Sequence, residues 1–283
     1  MSYNFQNLTN NDKVITKQKG VFSVLEYQRD KSVAPYTATA EYFMTQMGVK
    51  KKQVIAVLNN QSIKTQAGAM QYTVGQLQSE TGVKGVGDLL GKAVKGAVTK
   101  ESAVKPIYNG AGMIVLEPTY KHIILVDVAE WPTGITLDDG LFLACDNSVE
   151  HKITARKNLS SVIGGEGLFN LSLQGEGIAV LESNVPEEEL VTIELQNDTL
   201  KVDGNMAICW SSGLEFTVER SSKTLIGSAV NGEGLVNVYR GTGKVLLSPV
   251  ASSGTQSQVK PMATPQGGAA EFVGGVLGSL LKN

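Results

Sequence analysis

The sequence predicts an all-β protein made of three fused, pseudo-repeated β units in a barrel-like or sandwich-like pseudo-threefold arrangement. Three observations carry that expectation. The 283 residues include 31 glycines, well above the usual share of about 7%, while long Ala/Glu/Lys/Leu tracts are scarce. Short runs such as Val191-Thr192-Ile193-Glu194-Leu195 and Leu214-Glu215-Phe216-Thr217-Val218-Glu219 alternate apolar with polar residues, the period-2 mark of a half-buried strand. The third observation is internal repetition, which fixes how those strands are grouped.

The repeat is read from two motifs. GEGL begins at Gly165 and again at Gly232, 67 residues apart, each time followed by strand, turn and strand. A weaker copy starts at Gly110 and keeps the GxG followed by an apolar run. The other motif is a strand, turn, strand, glycine and strand, and it recurs around Gly68, Gly140 and Gly204. In that register Thr73, Cys145 and Cys209 become equivalent. Turn pairs such as Asp139-Gly140, Asp203-Gly204 and Asn231-Gly232 separate the strands, as sandwiches and barrels require. Closing three units around an axis pairs edges that would otherwise invite aggregation.

A residue found at the same place in several copies answers a repeated structural need, so functional asymmetry is expected where the copies differ. Cys145 and Cys209 occupy matched strand positions and read as small buried hydrophobes. His122 and His151 are the two histidines and are not at matched positions; both read as ordinary strand residues rather than as a base or nucleophile. The glycines of the GEG turns precede more strand instead of a helix, which excludes a dinucleotide loop. The enzyme reading therefore ranks third, resting on an unrecognised pocket, and no cofactor or metal site is expected.

Charge narrows the partners. The formal net charge is -2, so no global positive field gathers nucleic acid or anionic lipid. Lys50-Lys51-Lys52 is the one compact basic run, without interleaved aromatics, and reads as a solvated strand entrance. Glu187-Glu188-Glu189 reads as a solvated turn. Nucleic-acid binding is thus not expected. Two distant cysteines fit neither a disulfide framework nor a zinc site. With no apolar leader and no run of 18 apolar residues, the expectation is a cytoplasmic protein, with a membrane-peripheral one as the alternative.

Two segments stand apart from the β units, which fill residues 1–250. A helical or loop insertion is expected at about 82–103, where Val86, Leu89, Leu90, Ala93, Val94 and Ala97 recur at helical spacing. Three internal glycines weaken that helix by about 1 kcal/mol each, so it needs support, from its own sheet, a partner or a lipid surface. Residues 251–268 are rich in Ser, Thr, Gln, Gly and Pro and read as a flexible linker. Residues 269–283 then form an amphipathic helix with a stripe of Phe272, Val273, Val276, Leu277, Leu280 and Leu281. That stripe suits docking on another chain, self-association, or folding back on its own domain. Candidate contacts to a protein partner or membrane are accordingly Leu89, Leu90, Val94 and the six stripe residues.

From Val54 to Val250 the chain resembles the altered inheritance of mitochondria protein 24 family. The carriers are QAGAMQYTVG at 66–75, DDGLFLACDNSVEHKI at 138–153, GGEGLFNLSLQGEGIAVL at 164–181 and GEGLVNVYRGTGKVLL at 232–247. The resemblance implies a β fold like that of the tryptophan RNA-binding attenuation protein, with successive units fused in one chain, and it implies no catalytic residues. It links mitochondrial members to inner-membrane organisation. A polar N-terminus and a long C-terminal tail depart from the family pattern. The expected function is a non-catalytic scaffold or adaptor that binds protein partners or itself, the alternative a peripheral membrane-organising protein.

Overall fold

The computed structural model describes residues 3–81, 105–155, 169–220 and 235–250. The expected insertion at about 82–103, the linker and the terminal helix lie outside the described residues. So do the GEG turns at Gly165 and Gly232.

The chain enters through a hairpin that the repeat did not announce. Strand β1 (Lys13–Lys19) turns at Gly20 into β2 (Phe22–Tyr27), and β2 pairs antiparallel with the long strand β3 (Lys52–Thr65). Between them lies helix α1 (Ala38–Gln46). Its C-terminal end is held by backbone geometry. Gly48, at φ +81, gives its N–H to Thr45, and the Val49 N–H reaches Met44, the paired bonds that close a helix on a left-handed glycine.

Twelve further strands follow β3: β4 (Met70–Glu80), β5 (Ile107–Leu116), β6 (His122–Asp127), β7 (Ile135–Leu137), β8 (Phe142–Asp146), β9 (Glu150–Ala155), β10 (Phe169–Gln174), β11 (Ile178–Ser183), β12 (Val191–Asp203), β13 (Ala207–Ser211), β14 (Glu215–Arg220) and β15 (Leu235–Leu247). They form two antiparallel sheets. The eight-stranded sheet runs β1-β2-β3-β8-β11-β6, with β5 on the other edge of β3 and β4 beyond it. The seven-stranded sheet runs β12-β15-β13-β7-β10-β9, with β14 also on β15. The first closes nearly into a barrel and the second curls into a half-barrel.

One pairing scheme recurs along the chain. The first strand of a group pairs with its last, as β3 with β5 and β12 with β15. In the middle group both of these strands are broken in two: β6 pairs with β11 in one sheet, while β7 pairs with β10 in the other. The crossing from β6 to β7 is made at a 3-10 turn, Val128–Glu130, where the Asp127 carboxylate accepts the Ala129 N–H at 3.1 Å. The ends of β3 and β7 then reach into the following group, β3 pairing with β8 and β7 with β13.

Burial follows the pleat. Val54, Ala56 and Leu58 of β3 point into the first core with Phe22, Ile114 and Val180, while Ile55 points to the opposite face and packs with Leu25 and Val115. Leu8 and Tyr27 help cover that second face, which is why this stretch reads as continuous apolar sequence instead of alternating. A second core draws Ile124, Trp131, Leu137, Phe142 and Leu181 from strands of both sheets. The third packs Trp210, Phe216 and Tyr239 ring against ring, with centroids 5.1–5.4 Å apart. At Gly110, φ is +122 and a Cβ would stand 2.2 Å from the Gln76 carbonyl oxygen. The weakest copy of the GxG motif thus keeps its glycine because β4 passes against the backbone.

Candidate functional site

The turn between β8, in the eight-stranded sheet, and β9, in the seven-stranded sheet, brings together one residue from each. Cys145 Sγ lies 3.2 Å from His151 Nε2, with the His151 ring edge-on to Phe142 at 5.0 Å between centroids. The pair resembles a nucleophile and its base, but its surroundings hold both groups neutral. Burial pushes the Cys145 thiol up to about 12, and the Lys64 charge only partly opposes it. Burial, aided by the charges of Lys64 and Lys105, pushes His151 down to about 3. A neutral thiol against a neutral imidazole makes a buried hydrogen bond, not an activated nucleophile. The signal available in the sequence was the spacing of six across a tight β turn.

Cys209 is likewise buried, its thiol pushed up to about 12. Cys145 sits between Lys64 of β3 and Ala179 of β11, and Cys209 between Leu137 of β7 and Leu246 of β15. Thr73, expected at the equivalent place, is exposed. Its strand β4 pairs only with β5 among the described residues, so no preceding strand covers that position.

The basic run departs from the expected solvated entrance. Lys52 is buried, with its ammonium donating to the Lys50 carbonyl and 3.9 Å from Glu26. Lys50 pairs with Glu26 at 3.2 Å, and Lys51 with Asp30. Burial lowers the pKa of Lys52. Asp30 is the converse: burial works against its charge, yet Lys51 and the Ser32 N–H together hold its carboxyl below the ordinary value. Glu26 of β2 and Asp30, three residues beyond its end, engage all three lysines in ion pairs at the entrance of β3. Glu187–Glu189 form a 3-10 turn with no buried residue, as expected of a solvated turn. His122 is a half-buried strand residue whose pKa is lowered by burial and then by Lys52.

The feature that sequence reasoning missed is α1. None of its residues is buried, and Tyr36, Tyr42, Phe43 and Met47 are 91%, 61%, 62% and 81% exposed. The helix is anchored by its ends and by Tyr120, whose hydroxyl donates to the Glu41 carboxylate at 2.9 Å. Its apolar side chains therefore remain on the surface. Leu89, Leu90, Val94, Phe272, Val273, Val276, Leu277, Leu280 and Leu281, the contacts expected from the sequence, lie outside the described residues.

These features define a two-sheet β body with an exposed aromatic helix, and among the described residues no cluster of three or more metal-ligating side chains. Residues 45–250 match the model of the family described as Mitochondrial biogenesis AIM24, and the chain belongs to that family. It is 28% identical over 194 residues to an uncharacterized protein of Streptococcus pyogenes serotype M6, a match covering 66% of this chain and 76% of the relative. A crystal structure of a Streptococcus pyogenes protein is similar with a TM-score of 0.53 at 27% identity, covering 71% of this chain and 89% of that one. Among the described residues no helix is long and apolar enough to cross a membrane.

Proposed function

We propose that this chain is a non-catalytic scaffold or adaptor, built by three-fold repetition of one β unit, that binds a protein partner or a second copy of itself. The observation that carries the reading is α1, a helix with no buried residue, where Tyr42, Phe43 and the following Met47 are exposed, as is Tyr36 just before it. Aromatic residues and methionine are enriched at the centres of protein interfaces, and here the exposed rings of Tyr42 and Phe43 meet edge to face with centroids 5.5 Å apart, an apolar contact on the surface that a partner can extend. The neutral, buried Cys145–His151 pair supports the non-catalytic part. Two free buried thiols suit a cytoplasmic setting.

Light scattering with size-exclusion chromatography, on the full chain and on a Tyr42→Ser/Phe43→Ser variant, tests the reading. An assembly in the full chain that becomes a monomer in the variant supports it. The same monomer in both overturns self-association through this face. A second reading, a peripheral membrane-organising protein, is favoured by the tyrosines, which suit the headgroup level of a bilayer. It expects liposome co-sedimentation that the same variant abolishes.

A further inference from the structure

The β1–β2 turn, the middle of β3 and the β8–β9 turn meet around a cleft of about 730 Å³, within the range of small-molecule sites. Its walls are mostly polar: beside Val21 and Val57, Gln18 and Ser23 come from the hairpin, Gln61 and Ser62 from β3, and Asn147 and Ser148 from the β8–β9 turn. A bulge in β3 between Asn59 and Gln61, with Asn60 at φ +58, bends the strand at this wall. Asp146, the last residue of β8, is the single charged side chain of the lining.

The backbone is shaped to hold that carboxylate. Oδ2 accepts the Ile178 N–H at 2.7 Å. Two left-handed glycines let the flanking turns close around it. A Cβ on Gly177, at φ +136, would stand 3.0 Å from Asp146 Cβ and 2.9 Å from Ser148 Oγ; one on Gly20, at φ +58, would press on Ile178 at 3.0 Å. No lysine or arginine among the described residues pairs with Asp146. The ammonium of Lys64 is spent on the carbonyls of Asn147 and Val149, at 2.9 and 2.7 Å. Burial raises the Asp146 pKa; the Ile178 N–H opposes that rise and the Asp127 charge adds to it. A half-buried carboxylate without a counter-charge costs stability in the empty protein, and such costs are typical of binding positions.

The repeat isolates the same residue. One place after Thr73, Cys145 and Cys209 stand Val74, Asp146 and Trp210, so the carboxylate belongs to the middle copy alone. Among the described residues no three His, Cys, Asp or Glu side chains converge as metal ligands, and one carboxylate among neutral groups suits an ammonium better than a hard divalent cation. Amides and hydroxyls, which both donate and accept, match ligand hydroxyls.

We propose that this cleft binds a small ligand carrying a primary ammonium among hydroxyl groups, the chemistry of an amino sugar or amino alcohol, with the ammonium on Asp146. The site stands independently of the α1 face.

The test is titration of glucosamine, glucose and spermidine into the full chain at pH 7, followed by calorimetry. Glucosamine is expected to saturate one site, with glucose and spermidine each about tenfold weaker or more, a difference of about 1.4 kcal/mol. Asp146→Asn keeps an oxygen for the Ile178 N–H, so it should weaken glucosamine about tenfold while Tm at pH 7 stays level or rises. Gln61→Ala, at an exposed position, removes a ligand-facing amide together with the bond it accepts from the Asn59 N–H at 3.3 Å, and should weaken binding several-fold while Tm shifts little. Absence of saturable glucosamine binding, equal binding of glucose, or unchanged affinity in both variants overturns the proposal.

Discussion

Cys145 and His151 show how environment decides the chemistry of a residue pair. At 3.2 Å their separation alone would suit catalysis, yet burial holds the thiol protonated and the imidazole unprotonated. The shift has a consequence for stability. A histidine whose folded pKa lies below its unfolded value of 6.5 contributes stability that is complete above pH 6.5 and is lost as the pH falls towards about 3. His122 is shifted in the same direction. Urea midpoints of the wild type should therefore fall between about pH 6.5 and 4.5, and less steeply in His151→Leu. Identical slopes in the two proteins would show that His151 is not held neutral. The sequence identified Cys145 as a buried small residue and His151 as a strand residue. Their contact depended on the turn by which the chain leaves β8 in one sheet and enters β9 in the other, which residue spacing only hints at.

At the scale of elements, the strands were legible and the single described helix was not. Alternation in β14 and the turn glycines Gly140 and Gly204, at φ +80 and +59, announced where strands begin and end. The β1–β2 hairpin is marked by a turn glycine, Gly20 at φ +58, but it lies outside the repeat and contributes strands that no copy predicts. In α1 the apolar residues Tyr42, Phe43, Met44 and Met47 do not gather on one stripe, so periodicity gave no helical signal. What holds this helix is a left-handed Gly48 at one end and a long-range bond from the Tyr120 hydroxyl to Glu41, neither of which leaves a periodic mark. Gly48→Ala tests this. A Cβ there meets nothing within 4 Å, so the cost is backbone strain alone, about 1 kcal/mol. Faster hydrogen exchange at Thr45 to Val49, with the β core unchanged, is the expected result; equal exchange would mean that the glycine does not hold the helix.

For the whole molecule, the sequence predicted a β fold of grouped strands but not which strands pair, and the pairing of β3 with β5 and β12 with β15 came from the structure. Nor did the sequence anticipate the division into two sheets. That division falls within the middle group, where both outer strands break and pass from one sheet to the other around Val128–Glu130 and Gly175–Gly177. Nothing in the repeat marks the break, because the first and third groups keep those strands whole. The same asymmetry places Asp146 in a cleft that its counterparts Val74 and Trp210 do not share. The proposed role rests on the one helix of the two-sheet body that buries none of its residues. Hydrogen exchange across Ala38–Gln46, compared at dilute and high concentrations of the full chain, tests that central claim most directly. Slower exchange confined to α1 as assembly increases is the predicted result, whereas assembly that leaves α1 exchange unchanged would contradict the role given to this face.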